Sequence, residues 1–291
     1  MKIKQSIPSN IFDVVNVIFM VLFAVTTIYP FWNVFVISIS PPAEASAYGL
    51  HLWTRNPLLN GYINIINNRH LINSLRNTIV RTLLGCAVNV SLACIVAYPL
   101  SKKYLPLRNV WTGIIVFTMF FSGGLIPSYM LVTGISLQDT IWALILPGAI
   151  PTWSMIITRN YFQSLPPDLE ESARIDGANE MVVLWRVVMP ISLPIIATVA
   201  LWSAVAHWNA WFDALIYIRD EKKMIIQLML YRMVTQGTNE MMLAQGDTEF
   251  RPTPEIIKAA AIIVTMVPII LVYPFLQRYF MKGIMIGSLK G

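Results

Sequence analysis

Ser164-Leu165-Pro166-Pro167-Asp168-Leu169-Glu170-Glu171-Ser172-Ala173-Arg174-Ile175-Asp176-Gly177-Ala178-Asn179 is a polar island in an apolar chain. The Pro166-Pro167 pair closes the helix before it, and Pro167 is acceptable in the first turn of a new one. Asp168, Glu170 and Glu171 then fall where a helix N-terminus favours negative charge. Gly177 permits a sharp turn, and the small side chains of Ala173 and Ala178 leave room for close approach. A second short helix follows and ends near Pro190. The segment reads as a helix-turn-helix knob. On its residues alone it also reads as an amphipathic interfacial helix that only joins its neighbours.

The flanks decide what the island sits in. Residues 14–43, 82–101, 109–138, 140–158, 187–212 and 259–277 carry no Asp, Glu, Lys or Arg. Each is about as long as the ~20 residues that cross a hydrocarbon core, or longer. Across 291 residues the hydrophobic share is 56% and the charged share 12%, against ~25% charged in soluble domains. A water-facing surface could not be covered, and disorder, collagen and a disulfide scaffold are excluded with it. The expected fold is an all-α polytopic membrane protein of six transmembrane helices in one domain, 1–291. The expected spans are about 12–40, 74–100, 109–132, 140–160, 190–217 and 255–279. A polar loop is expected over 161–189, and two further large loops over 41–72 and 218–253. Gly123-Gly124 and Pro127 should bend or end the third helix. Ala45-Ser46-Ala47 resembles a cleavage site, but the apolar stretch before it is about twice the 7–15 residues of a signal peptide, so the first helix is expected to stay. Thr253, Pro254 and Glu255 make a start signal for the last helix.

Charge orients the chain only weakly. With both termini inside, the inner side holds Lys2, Lys4, Lys102, Lys103, Arg108, Arg159, Arg174, Arg186, Arg278, Lys282 and Lys290. The outer side holds Arg55, Arg69, Arg219, Lys222, Lys223, Arg232 and Arg251. Arg76, Arg81 and Lys258 lie at outer span ends and erase most of that bias if counted outside. The basic residues edge the apolar segments without forming a run, so nucleic acid is not implied.

Catalytic chemistry is missing. No Gly-Lys dipeptide occurs, which removes the phosphate-binding loop. His51, His70 and His207 are scattered, so no metal site is expected. Cys86 and Cys94 lie eight residues apart on one apolar stretch, about 12 Å on a helix and too far for a disulfide. The chain is not expected to be an enzyme, and energy for any pumping must come from a partner or an ion gradient.

Glu171-Ser172-Ala173, three residues, Gly177, nine residues, Val187-x-Met189-Pro190 resembles the EAA loop of ABC-importer permeases. The family pattern is Glu-Ala-Ala, three residues, Gly, nine residues, Ile-x-Leu-Pro. The spacing is kept, and Ser172, Val187 and Met189 are mild departures. Asn73-Ser74-Leu75, the stretch from Phe121 to Pro127, the stretch from His207 to Phe212, and the stretch from Tyr273 to Phe280 with the tail Lys282 to Gly287 resemble the carbohydrate branch, in particular the oligosaccharide permeases.

The resemblance implies a type I ABC importer permease fold with cytoplasmic EAA coupling helices, in a bacterial cell membrane with both termini cytoplasmic. It implies a homologous second permease, a cytoplasmic ATPase dimer carrying ATP and Mg, and an extracellular solute-binding protein delivering an oligosaccharide. No cofactor is expected on this chain. Glu170, Glu171, Ser172, Ala173, Asp176, Gly177, Ala178 and Pro190 are the implied ATPase-coupling residues.

For the sugar path the fifth span offers Trp202, Trp208, Asn209, Phe212 and Asp213, with Trp211 beside them. Helical spacing would put Trp202, Asn209 and Asp213 on one face. Aromatic faces with nearby amides suit sugars, although an interfacial aromatic belt is the simpler account of Trp211. Arg81 must snorkel, pair or face water, since charge at mid-bilayer costs at least ~2.5 kcal/mol; facing the cavity, it would attract acidic sugars. The rival reading, a secondary transporter or channel subunit, should show inverted repeats and intramembrane acids, and none falls at mid-span. A membrane scaffold without transport is the weaker rival.

Overall fold

The computed structural model describes residues 7–235 and 252–288. Lys2, Lys4, Lys290, Arg251 and the outer-loop stretch 236–251 lie outside the described residues. The described chain is helical, with short 3-10 and π turns and, among the described residues, no strand. Ile11–Ser38, Arg69–Ser101 and Pro254–Val272 are long and apolar enough to cross a membrane, and three bent helix pairs raise the count to six if each is one span.

The bends have local causes. Arg108–Phe120 and Leu125–Gly134 meet at 110°, where Gly124 takes a positive φ of 88° that a side chain would resist. Thr152–Gln163 follows two 3-10 turns at 52°; Pro147 and Pro151 there withhold backbone donors. Glu180–Ile191 meets Leu193–Asn209 at 85°, with Ser192 at the corner between Pro190 and Pro194.

Two expected elements differ. The one foreseen over 140–160 consists of 3-10 turns as far as Gly148 and is α-helical only over Thr152–Gln163. The helix foreseen over 190–217 stops at Asn209 and resumes at Phe212–Tyr217. Ala210 between them is extended (φ −70°, ψ 133°), so Asp213 does not continue the helical face of Trp202 and Asn209. The freed Ala210 carbonyl is taken up by Arg81 at 3.4 Å, which satisfies one of the backbone groups the break exposes.

The chain divides into two compact units, 1–69 with 232–266, and 70–231 with 267–291. In the first, the large apolar side chains of the long first helix from Ile11 to Phe31 are 53–68% exposed, a surface that belongs in an apolar surrounding. The C-terminal part of that helix is packed: Trp32 donates to the Leu52 carbonyl at 2.8 Å and stacks on Trp53. Gly61 lies so close to the last helix that a Cβ would meet Ile256 at 2.9 Å.

In the second unit, Ser74, Thr78, Arg81, Gly85, Asn89, Ala93 and Ala97 form the buried face of Arg69–Ser101, at the three- and four-residue spacing of one helix face. They are small or polar, as close helix contacts inside a membrane protein require. Asn89, with its amide oriented to satisfy its neighbours, donates to the Gly85 and Ala149 carbonyls and accepts from Ser203 and His207, all at 3.1–3.2 Å. Asp139 ties two connecting segments, accepting from the backbone of Arg219 at 2.6 Å and Asp220 at 2.9 Å. Those two N–H donors hold its carboxyl below the usual value.

Candidate functional site

The polar island forms the helix Asp168–Ile175, with Asp168, Glu170 and Glu171 in its first turn and Pro167 immediately before it. Its end is a Schellman motif: Gly177 N–H donates to the Arg174 carbonyl and Ala178 N–H to that of Ala173, both at 3.0 Å. Gly177 carries the required positive φ of 85°. Asn179 starts the next helix, its side chain accepting from Val182 N–H at 2.9 Å. That helix relaxes into a π turn, Leu184–Val188. Pro190 follows; it supplies no backbone donor and would crowd the carbonyl four residues back.

The knob has two sides. On the inner side Glu170 is 6% exposed and bridges Lys102 to Arg174. The Lys102 ammonium also sits 4.3 Å from the centre of the Tyr98 ring. Arg174 donates to Glu180 at 3.1 Å and to the Tyr104 hydroxyl at 3.0 Å. Tyr98 and Tyr104 donate to the two oxygens of Glu180 at 2.7 and 3.1 Å. Burial alone would raise the Glu180 carboxyl, but hydrogen bonds from Arg174, Tyr98 and Tyr104 hold it below its ordinary value. Ala173 and Ala178 are half-buried against a core that includes Ala97, Phe162, Val183 and Val188. Glu170, Ala173 and Ala178 therefore face the protein body.

On the outer side Glu171, Ser172, Asp176, Gly177 and Pro190 are exposed. Ser172 donates only to its own helix, at the Asp168 carbonyl. Leu169, Ile175, Met181 and Trp185 are exposed too, Ile175 at 87%. The sequence spacing located the turn; it did not reveal Lys102, Tyr98 and Tyr104, which come from the end of a distant helix and the loop beyond.

The candidates for the sugar path divide as well. Trp202, Asn209 and Phe212 are exposed, while Trp208 is buried. Trp211 stacks on Tyr231 with centroids 4.2 Å apart, a packing role. Arg81 pairs with Asp213 instead of snorkelling. Its Nη atoms also reach the Ala210 and Leu144 carbonyls, each at 3.4 Å. One guanidinium thus holds the second span, the break in the fifth and the 3-10 start of the fourth. Among the described residues no cluster of His, Cys, Asp or Glu could hold a metal ion.

The sequence profile described as "Binding-protein-dependent transport system inner membrane component" matches residues 3–286. The chain is 41% identical to Protein LplC of Bacillus subtilis (strain 168), over 97% of this chain and 96% of that one. It is 38% identical to the polygalacturonan/rhamnogalacturonan transport system permease protein YtcP of the same strain, over 97% and 99%. Among solved structures, a chain of a bacterial ABC transporter involved in the import of the acidic polysaccharide alginate superposes with TM-score 0.90 and 30% identity, covering 96% of this chain and 100% of that one.

Proposed function

The chain belongs to the family of binding-protein-dependent transport system inner membrane components, and from that premise we propose that it lines half of the translocation path for an acidic oligosaccharide. It is an ABC-importer permease of the inner membrane, a protein class that is not itself catalytic. A homologous second permease completes the path, a solute-binding protein delivers the sugar from outside, and a cytoplasmic ATPase dimer supplies the work with ATP and Mg. The acidic class is favoured by two relatives: one is named for polygalacturonan and rhamnogalacturonan, and the other takes part in alginate import.

The observation that carries the coupling role is the two-sidedness of the knob. Its inner side is clamped through Lys102–Glu170 and Arg174–Glu180; its outer side presents Glu171, Ile175 and Gly177 without cover. A transmission element needs that arrangement, because a push on a loose loop would be absorbed before reaching the spans. Glu171, Ser172, Asp176 and Gly177 are assigned to the ATPase contact, with Leu169 and Ile175 as apolar anchors. Glu170, Ala173 and Ala178 hold the knob to the body, and Pro190 sets the corner through which motion passes to the fifth span. Trp202, Asn209 and Phe212 are assigned to the sugar path.

The orientation that follows has the knob cytoplasmic and residues 41–72 outside. Single cysteines at Asn179 and Ala47 test it with an impermeant thiol reagent on whole cells. Labelling at Ala47 alone supports the assignment; labelling at Asn179 alone overturns it. Co-purification of the ATPase with the permease pair tests the coupling role, which fails if a Glu171→Lys, Ile175→Asp double variant retains the ATPase and full sugar uptake.

A further inference from the structure

A cavity of about 600 Å³ opens beside the Arg81–Asp213 pair, lined by Arg76, Asn77, Arg81, Trp142, Thr140 and Lys223 among others. It does not include Trp202, Asn209 or Phe212. Its walls are fixed. The Asn77 amide donates to the Lys222 and Met224 carbonyls at 2.9 Å each, and Lys223 Nζ donates to the Asp139 carbonyl at 2.9 Å. The one lining carboxylate, Asp139, is already occupied by the backbone N–H groups of Arg219 and Asp220.

Two observations point to what the cavity takes. Arg76 makes no hydrogen bond or ion pair among the described residues, and Lys223, which also feels the Asp139 carboxylate, stands 4.0 Å from that of Asp220. Positive charge is therefore available to a guest. Trp142 exposes part of its indole, a flat apolar face suited to the C–H face of a pyranose ring. Cations and an aromatic plane in a concave site match a sugar ring bearing a carboxylate.

The geometry points to a subsite for one uronate residue of the oligosaccharide, with Arg76 and Lys223 holding the carboxylate and Trp142 the ring. It rests on the acidic-sugar reading and adds a site for the charge. A convex protein surface bearing acidic side chains is the competing source of carboxylate, and the concave shape favours the sugar.

The test uses the complete permease–ATPase complex in nanodiscs and two probes, tetragalacturonate and its fully methyl-esterified form. Calorimetry on wild type should show tighter binding of the acid than of the ester. Arg76→Gln and Lys223→Gln should each reduce that preference about tenfold, the loss of one charge-assisted hydrogen bond. Arg76→Lys, which keeps the charge, should retain most of it. Both positions carry charged side chains at an open cavity, so Lys223→Gln carries the test if Arg76→Gln fails to assemble.

Equal affinity of wild type for acid and ester overturns the subsite, as does an unchanged preference in both Gln variants. An Arg76→Gln loss seen only as weaker binding-protein stimulation, alike with either sugar loaded, also overturns it and assigns the cavity to protein docking. Uptake of tetragalacturonate by wild-type importer in liposomes is measured separately. Failure there overturns the acidic-sugar function, whereas uptake without a charge preference in the cavity overturns only the subsite.

Discussion

Arg81 and Asp213 form an ion pair between the second span and the short helix that resumes the fifth, with side chains 2% and 29% exposed. Removing one partner leaves the other charge uncompensated, which costs about 3 kcal/mol or more for a buried pair. Asp213→Asn and Arg81→Gln should each lower the melting temperature of the purified complex and its yield in membranes. Replacing both by apolar residues, Arg81→Met with Asp213→Leu, should recover much of the loss. A double variant as damaged as the sum of the singles would show that the pair is not coupled.

Gly85 and His207 define a second close contact. A Cβ on Gly85 would lie 2.4 Å from His207 Nε2 and 2.6 Å from two other ring atoms. The ring is held there by Asn89, so it cannot simply swing away. Gly85→Ala should destabilise by about 1–3 kcal/mol, the usual range for overpacking, although alanine is the better helix former. Adding His207→Ala should relieve part of the damage. The check is thermal unfolding of the two singles and the double; strict additivity would mean the contact is not the cause.

These two pairs and the polar knob differ in how much of each the sequence carries. Charge-free runs marked six candidate spans, which the described residues form as three long helices and three bent pairs, and the spacing of Glu171, Gly177 and Pro190 marked the knob, because membrane thickness and a backbone turn constrain contiguous residues. The break after Asn209 was not legible: nothing between Trp208 and Asp213 forbids a helix, and the break is supported by Arg81, well over a hundred residues earlier in the chain. The face argument for Asp213 failed with it. Likewise Glu170 reads like Glu171 in sequence, and only Lys102, at the end of the second span, turns one inward and leaves the other exposed. Small polar residues such as Ser74, Thr78 and Asn89 carry the buried face of the second span, so hydrophobicity alone could not identify which side was inside.

The Glu180 cluster carries a pH dependence of fixed sign. Its carboxyl sits below the ordinary value in the folded protein, so its contribution to stability is complete above the usual carboxylate range and is lost as pH falls through the lower folded value. Glu180→Gln should therefore melt below wild type near neutral pH, and the gap should shrink as pH is lowered below about 4. A gap that stays constant or widens on acidification would remove the ionised carboxylate from the account. Glu180 is largely exposed, so solvent screening keeps the effect small.

Gly177 offers the sharpest separation of backbone from contact. A Cβ there meets nothing within 4 Å, yet its φ is +85°, so a side chain is penalised only by the left-handed backbone. That strain is roughly 1–2 kcal/mol for an ordinary residue and less for asparagine, which tolerates the conformation. If strain alone matters, Gly177→Asn should behave nearly as wild type and Gly177→Val should loosen the Schellman turn and displace Ile175 and Asp176. If the bare surface at Gly177 is itself an ATPase contact, Gly177→Asn should also fail, because any added side chain intrudes on it. We expect the second outcome: both variants insert and pair with the second permease, both lose ATPase attachment or sugar-stimulated hydrolysis, and Gly177→Val loses more. The measurement is co-purification of the ATPase alongside binding-protein-stimulated ATP hydrolysis in liposomes. Full coupling in Gly177→Asn would restrict this glycine to ending its helix, and full coupling in Gly177→Val would remove the knob from the transmission path.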